Sequence, residues 1–234
     1  MALPLLPLLV PLAVHTRRTA LRLPPASGPT RGVAGAHCAG TPLRLLLVGE
    51  STVVGVGVAT LEQALPGQLA VALSRALARP VCWRICGENG ITVDQARQRL
   101  LPSALAEPAD LAVLVFGVND STRLTAPLAW ERALGEMAQA LGAQGAQVAF
   151  TAVPPLQHFS ALPWLLRHLL GARARLLNRH LGQLAARLNL ARCTVDLEFS
   201  PAYLALDGYH PSALGYRVWA EGLVTKLRAS AVGA

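Results

Sequence analysis

The 234-residue chain has few aromatic residues, few cysteines and almost no lysine. Aromatic residues make up 5% of the sequence and do not alternate with arginine in any segment, so the stacking platforms of single-strand nucleic-acid binders are missing. The formal net charge of +8 comes almost entirely from arginine, because Lys226 is the only lysine. Together with the abundance of alanine, leucine, glycine and proline, this bias indicates a codon-composition effect. We therefore expect no nucleic-acid partner.

The cysteines are too few and too widely spaced for a metal site. Cys38, Cys82, Cys86 and Cys193 match no zinc-binding spacing and form no CxxC pair. Cys82 and Cys86 lie in an apolar segment, where a free cysteine packs as a small hydrophobic residue. We expect reduced structural thiols, a cytoplasmic location, and neither a metal nor a cofactor.

Residues 1–22 contain no acidic residue, and the first 14 positions are apolar. A secretory signal would need positive charge before the apolar stretch, and a membrane span would need a longer one. Pro4, Pro7 and Pro11 are expected to interrupt a helix. Two interpretations stay open. Either this segment lies in a membrane interface, which would make the protein peripherally membrane-associated, or it packs on the surface of the domain.

Five apolar segments of strand length alternate with segments of helical periodicity. Strands that are apolar throughout are typical of a parallel sheet buried on both faces, so we expect a three-layer α/β/α sandwich. The predicted strands are 43–49, 81–87, 111–117, 147–153 and 191–197, and the predicted helices are 61–79, 92–105, 127–143, 172–189 and 212–229. The domain is placed at residues 43–234, after an apolar segment and a Pro/Gly-rich connector that together form residues 1–42.

Four short polar segments fall at strand ends or before the last helix: GEST at 49–52, GENG at 87–90, GVND at 117–120 and DGYH at 207–210. Because the carboxyl ends of parallel strands share one edge of the sheet, we expect these segments to meet there. Ser51 in the first segment is a candidate nucleophile, a candidate helix cap or part of a phosphate site. The glycines around it match neither the Walker spacing nor the dinucleotide-binding spacing.

Asp207 and His210 favour the nucleophile interpretation of Ser51. They are three residues apart, so the carboxylate can hold the imidazole in one tautomer and stabilise its protonated form. With a serine at a strand exit, the three residues form a candidate triad. The Ser51 N–H, the Gly90 N–H and the Asn119 carboxamide are the candidate donors to an oxyanion.

These segments resemble the blocks of the SGNH, or GDSL-type, hydrolase family. Its Gly-Asp-Ser block is matched by residues 49–51, its glycine by Gly90, its Gly-x-Asn-Asp block by residues 117–120 and its Asp-x-x-His block by residues 207–210. Glu50 stands where the family has aspartate, a side chain that helps to fix the nucleophile loop. The bacterial thioesterase/lysophospholipase-like branch is the most similar, and the resemblance implies a five-stranded parallel, flavodoxin-like sheet.

The resemblance also implies a serine esterase that hydrolyses carboxylic esters, or thioesters, of small-molecule or lipid-like character through an acyl-enzyme. The segment after the fourth strand carries Phe159, Leu162 and Trp164, which either form the wall of an acyl pocket or begin a helix that packs inward. Two alternatives remain. One is a carbohydrate acetyl esterase with the same site; the other is a non-catalytic flavodoxin-like protein that binds a nucleotide or another anion at the Ser51 loop.

Overall fold

Strands and helices alternate along the chain. The structure, a computed structural model, describes residues 6–194 and 200–232, with the side chains of residues 9–194 and 200–229. The helices are α1 (Leu6–Thr19), α2 (Leu65–Leu77), α3 (Val93–Arg99), α4 (Leu101–Leu105), α5 (Val118–Thr122), α6 (Pro127–Ala143), α7 (Trp164–Leu188) and α8 (Ala213–Val232). The strands are β1 (Arg31–Ala34), β2 (Leu43–Gly49), β3 (Val81–Gly87), β4 (Leu111–Val115), β5 (Gln147–Thr151) and β6 (Ala191–Cys193).

The sheet has the strand order β1-β3-β2-β4-β5-β6. Strands β2 to β6 are parallel, which confirms the predicted fold class, while β1 pairs antiparallel with β3 at one edge. The sheet therefore has six strands rather than the expected five. The sequence gave no clear signal for β1, because this strand is four residues long and contains Gly32. That glycine makes room for the Trp83 indole, since a Cβ at position 32 would lie 2.7 Å from a ring carbon.

Side chains of the strands alternate between two apolar cores, one on each face of the sheet. In β2, Leu46 and Val48 pack in the core beneath α3, α4, α6 and α7. Leu45 and Leu47 pack on the other face with α2 and α8. None of these four side chains is more than 1% exposed, and burying each contributes about 1.5–3 kcal/mol. This alternation produces the predicted three layers.

Several element boundaries differ from those expected. Helix α6 matches its predicted bounds, whereas α2 begins at Leu65 rather than at residue 61, and α7 begins at Trp164 rather than at residue 172. Of the predicted strand 191–197, the structure describes β6 as a strand, and residues 195–197 lie outside the described residues.

The N-terminal segment contains a helix despite its prolines. Helix α1 runs through Pro11, so the expectation of an interrupted helix was wrong for this position. Pro7 lies in the first turn, where a backbone N–H would have no partner within the helix, and Pro11 removes a single hydrogen bond. Pro7 thus costs the helix little, whereas Pro11 in the helix interior opposes α1 by about 3 kcal/mol.

Helix α1 lies against α7 and leaves part of its apolar surface exposed. Leu9 is buried, while Val10 and Val14 are 54% and 44% exposed. The segment therefore packs on the domain at least in part, and its contact with a membrane stays a prediction. Within residues 6–194 and 200–232, no helix is both long and apolar enough to cross a membrane.

The connector that precedes β2 is part of the same folded unit as the sheet. Strand β1 lies within it, and the Ala26 N–H donates to the Val54 carbonyl at 3.0 Å. The predicted boundary between residues 42 and 43 therefore does not separate two structural units. The connector instead packs against the loop that follows Ser51.

Candidate active site

The carboxyl ends of β2, β3 and β4 lie side by side. Gly49 of β2 pairs in register with Gly87 of β3 on one side and with Val115 of β4 on the other. A cavity of about 370 Å³ opens at this edge, and both Ser51 and His210 line it. Its volume falls within the range of about 300–1,000 Å³ that is typical of small-molecule sites.

Ser51 follows β2 in a series of turns. The next helix, α2, begins only at Leu65, so the helix-cap interpretation of Ser51 was wrong. The loop also does not lead directly into a helix N-terminus that could hold a phosphate. The Ser51 residue is 7% exposed and faces the cavity described above.

The loop of Ser51 packs directly on the segment that carries His210. Gly57 has a φ of +106°, and a Cβ at this position would lie 2.4 Å from the Pro211 carbonyl oxygen and 3.3 Å from the His210 Cβ. The Tyr216 hydroxyl of α8 donates to the Val56 carbonyl at 2.7 Å. Glycine is thus required for the two segments to approach, and α8 holds the loop in place.

Asp207 and His210 form a hydrogen-bonded pair in a tight turn. One Asp207 carboxylate oxygen, Oδ1, accepts from the backbone N–H groups of Tyr209 and His210, each at 3.0 Å. The other, Oδ2, lies 2.6 Å from His210 Nδ1. Burial opposes ionisation of Asp207, but the hydrogen bonds from the imidazole and the two N–H groups hold the pKa of its carboxyl below the ordinary value.

This ionisation determines the tautomer of His210. A carboxylate can only accept hydrogen bonds, so the proton of the neutral ring is on Nδ1. Nε2 is then the unprotonated nitrogen, which is the arrangement that a general base requires. Among the described residues, no hydrogen bond joins Ser51 Oγ to His210, although both line the same cavity. In structures without substrate such contacts are often long.

Glu50 is the site residue whose contacts were not expected from the sequence. Its residue is 3% exposed, and its two carboxyl oxygens accept from the backbone N–H groups of Val118 at 2.9 Å and of Asn119 at 3.0 Å. Burial raises the pKa of Glu50 to about 8, against the lowering effect of these two donors. The carboxyl group therefore links the nucleophile loop to the start of α5. The only signal in the sequence was glutamate at a position where the family has aspartate.

Asn119 and Gly90 lie on adjoining turns. The Asn119 carboxamide donates to the Ile91 carbonyl at 3.1 Å, and its hydrogen bond to the Glu50 carboxyl acts to lower the pKa of that group. Gly90 has a φ of +81°, and its carbonyl accepts from Arg123 at 2.9 Å. Within the described part of the chain, the backbone N–H groups of Ser51 and Gly90 have no backbone acceptor. The cavity wall described here includes Ser51 but not Gly90 or Asn119.

Asp120 connects the turn that carries Asn119 to the start of α3. One of its carboxyl oxygens accepts from the Val93 N–H at 3.1 Å, at the start of α3. Its side chain is buried, and burial raises the pKa of the carboxyl. Asp120 therefore ties the Asn119 turn to the first residue of α3.

Of the three predicted pocket residues, the structure places only Phe159 on the cavity wall. Leu162 is buried in the core beneath α7, and Trp164 is 65% exposed at the start of this helix, where its ring contacts His168. The prediction is corrected for these two residues, because α7 begins eight residues earlier than expected and its first turn carries Trp164 outward. The Phe159 ring contacts Tyr209 edge to face, with 5.1 Å between centroids.

Most of the remaining cavity wall comes from residues that the sequence did not single out. They follow β4 and β5 or lie on α7 and near the start of α8, and they include Val115, Phe116, Val153, Ala174 and Trp219. Within the described residues, no group of three or more histidine, cysteine, aspartate or glutamate side chains is arranged to hold a metal ion.

Solved structures of other proteins share this fold. TesA superposes with a TM-score of 0.65 and is 22% identical, covering 80% of this chain and 99% of TesA. The lipase/acylhydrolase from Enterococcus faecalis superposes with a TM-score of 0.64 and is 21% identical, covering 80% of this chain and 96% of that one. These likenesses show the fold.

Sequence comparison defines the family. The profile of the GDSL-like lipase/acylhydrolase family matches residues 47–218, and the chain belongs to this family. The GDSL-like esterase Rv1075c of Mycobacterium tuberculosis is 30% identical over 200 residues, which is 80% of this chain. The chain spans 62% of the length of this curated relative.

Proposed function

We propose that the chain is a serine esterase that hydrolyses carboxylic esters through an acyl-enzyme. The observation that supports this most directly is the Asp207–His210 pair beside a cavity that Ser51 also lines. Membership of the GDSL-like lipase/acylhydrolase family supports the same chemistry. The loops that carry Ser51 and His210 touch at Gly57, which supports placing both residues in one site.

In the proposed reaction, Ser51 Oγ attacks the ester carbonyl carbon while His210 Nε2 accepts its proton. His210 then returns this proton to the leaving alcohol as the carbon–oxygen bond to the alcohol breaks. A water molecule next attacks the Ser51 acyl ester and gives a proton to His210. The second tetrahedral intermediate expels Ser51 Oγ, which recovers the proton as the carboxylic acid leaves. Asp207 stabilises the protonated imidazole in both halves.

The oxyanion in this mechanism is bound by the Ser51 N–H, the Gly90 N–H and the Asn119 carboxamide. Free amide hydrogens on Ser51 and Gly90 support this assignment. For Asn119 to join them, its carboxamide exchanges its hydrogen bond with Glu50 for one with the oxyanion. Glu50 fixes the Asn119 backbone and thus the position of its side chain. Backbone donors held by the fold need no reorganisation when the charge develops, which is the source of their effect on the rate.

The cavity favours an acyl group longer than acetyl. Its volume of about 370 Å³ exceeds what an acetyl group fills, and Val115, Phe116 and Phe159 contribute apolar walls. Polar side chains, including Gln157 and Asn178, form the smaller part of the wall, whereas a sugar ring would need several polar groups around it. We therefore place the esters of medium-chain acids ahead of acetylated sugars as substrates.

The decisive experiment is labelling with a fluorophosphonate probe followed by mass spectrometry. The native chain should gain one covalent adduct on the peptide that contains Ser51, and the Ser51→Ala variant should gain none. Ser103→Ala, an exposed serine on α4, is the matched control and should be labelled like the native chain. Hydrolysis of p-nitrophenyl esters with acyl chains of two to twelve carbons, and of matched thioesters, would then define the substrate.

Two results would contradict the proposal. One is labelling that persists in a folded Ser51→Ala variant, because the nucleophile would then be another residue. The other is thermal stabilisation by a nucleotide together with no labelling of the native chain, which would favour the non-catalytic anion-binding alternative.

A further inference from the structure

A groove lined by arginine side chains adjoins the active-site cavity. Its volume is about 340 Å³, and Arg175, Arg179 and Arg192 contribute three guanidinium groups to it. We call it the arginine groove. Arg175 and Asn178 line both the groove and the cavity that contains Ser51, so the two spaces meet along α7.

The groove is formed by one face of α7 and by Arg192 of β6. Arg175, Asn178, Arg179 and Gly182 occupy positions i, i+3, i+4 and i+7 and therefore share one face of α7. Arg192 of β6 reaches across this face and donates from Nη1 to the Asn178 carbonyl at 3.3 Å. A Cβ at Gly182 would lie 3.4 Å from the same nitrogen, which is an ordinary contact distance, so the guanidinium lies beside this turn of the helix.

The boundary between the groove and the cavity is held firmly. The Asn178 carboxamide accepts from the Val153 N–H at 2.8 Å and donates to the Val153 carbonyl at 2.9 Å. Val153 also lines the cavity, just after β5. The Asn178 side chain thus fixes the cavity wall at Val153, while the Asn178 backbone carbonyl accepts from Arg192. These hydrogen bonds of Asn178 therefore fix the position of the groove relative to the cavity.

Among the described residues that line the groove, the charges are all of one sign. Arg175, Arg179 and Arg192 are exposed, and no carboxylate among residues 6–194 and 200–232 forms an ion pair with them. Asp196 and Glu198 lie outside the described residues. Guanidinium groups present planar pairs of N–H donors that suit carboxylate and phosphate oxygens, and three of them in one groove favour a bound anion.

We propose that the arginine groove binds an anionic group, a carboxylate or a phosphate, that belongs to the ester substrate hydrolysed in the adjoining cavity. The inference rests on the proposed esterase function and extends it by naming the substrate class: an ester with an apolar portion for the cavity and an anionic end for the groove. The continuity of the two spaces at Arg175 and Asn178 is the observation that carries it.

The test compares matched neutral and anionic esters. On the acyl side, p-nitrophenyl hexanoate and octanoate are compared with the p-nitrophenyl monoesters of adipic and suberic acid, respectively. On the alcohol side, a monoacylglycerol is compared with the acylglycerol phosphate of the same chain. The pair in which the anionic member has the lower KM shows on which side of the scissile bond the groove lies. The variants are Arg175→Gln/Arg179→Gln and Arg192→Gln, with Arg132→Gln, exposed on α6, as the charge-matched control.

We expect the double variant to raise KM for the preferred anionic ester about 3- to 10-fold, because charge-assisted bonds at an exposed site are each worth a modest amount. KM for the neutral ester should stay within a factor of two in every variant, and Arg132→Gln should change neither. The selective effect should shrink as salt is added, since ions screen exposed charges.

A measurement without turnover separates this proposal from the esterase proposal. Suberate should raise the melting temperature of the native chain and of Ser51→Ala, but should raise that of the double arginine variant much less. Equal losses on neutral and anionic esters, or stabilisation by suberate that survives in the double variant, would overturn the groove as an anion site. Failure to hydrolyse any neutral ester would instead count against the esterase proposal.

Discussion

Two buried carboxyl groups serve this site, and the fold stabilises them in opposite protonation states. Glu50 and Asp207 each accept two backbone N–H groups. Burial raises the pKa of Glu50 to about 8, whereas that of Asp207 lies below its ordinary value even though burial acts in the opposite direction. Asp207 has the ionisable imidazole of His210 as its side-chain donor, whereas Glu50 has the neutral Asn119 carboxamide and is further opposed by the nearby Asp120 carboxyl. A positively polarised partner, and not burial alone, therefore decides which carboxyl is ionised.

The two groups also differ in how far they reach along the chain. Asp207 bonds to residues two and three positions ahead, so it organises one turn. Glu50 bonds to residues 68 and 69 positions ahead, so it joins two strand ends. Asp207 is accordingly suited to orient a base, and Glu50 to fix the distance between the nucleophile loop and the Asn119 turn.

The largest effect on the difference between the two carboxyl groups is expected when the charge of Asp207 is removed. Asp207→Asn keeps the size of the side chain but can no longer fix the proton of His210 on Nδ1. We expect kcat for a short p-nitrophenyl ester to fall on the order of 10³- to 10⁴-fold, as loss of the correct tautomer does in serine hydrolases. Steady-state kinetics measure this, with the melting temperature as the folding control. A loss of less than tenfold in a folded variant would remove Asp207 from the mechanism.

Changing the reach of Glu50 should have a smaller effect. Glu50→Asp, the residue that the family has here, shortens the side chain by one methylene and can no longer satisfy both the Val118 and the Asn119 N–H groups. Complete removal of an oxyanion donor costs about 10²- to 10³-fold, so displacement of Asn119 should lower kcat by about 10- to 100-fold. KM should change little, because the ground-state ester does not use this donor fully.

Glu50→Gln provides the control for this prediction. It keeps the length of the side chain, but its NH₂ group faces a backbone N–H, which then has no acceptor. The unsatisfied donor lowers the free energy of unfolding by about 1–3 kcal/mol. If Glu50 acts only on stability, both variants will lower the melting temperature and leave kcat unchanged. That result would contradict its proposed positioning role.

The contrast also explains which parts of the molecule could be predicted from the sequence. The Asp207–His210 turn and the apolar strands were predicted correctly in position because their patterns are local. The contacts of Glu50 could not be predicted, since they depend on which strand ends become neighbours. Strand β1 was missed because four residues with a glycine give no periodicity, and Trp164 was misplaced because the first turns of α7 resemble a loop that begins with proline.

The opposite protonation states predict opposite effects of pH on stability. Folded Glu50 keeps its proton up to a pKa of about 8, while the unfolded chain loses it near the ordinary value of 4.5. Stability should therefore fall by a few kcal/mol, on the order of the free energy of this shift, as the pH rises between these values. Asp207 acts in reverse: its contribution is present above the ordinary value of 3.8 and is lost as the pH falls through its lowered pKa.

Urea unfolding between pH 3 and pH 9 measures both effects. Glu50→Gln should flatten the fall in stability between about pH 5 and pH 8, apart from the share that buried Asp120 contributes in the same direction. Asp207→Asn should reduce the loss of stability below pH 4. An unaltered slope between pH 5 and pH 8 in Glu50→Gln would mean that Glu50 is ionised in the folded protein.

The smallest expected effect concerns the cavity wall on the His210 side. Phe159→Leu keeps an apolar side chain but removes the ring that packs on Tyr209 and narrows the cavity. We expect the ratio of kcat/KM for decanoyl and butyryl esters to rise about 2- to 5-fold, because one or two additional methylene groups then fit. Trp164→Leu is the matched control, since this side chain is 65% exposed and lies outside the described cavity wall. A change in chain-length preference in Trp164→Leu, with none in Phe159→Leu, would mean that the acyl chain leaves the cavity and lies along the first turn of α7.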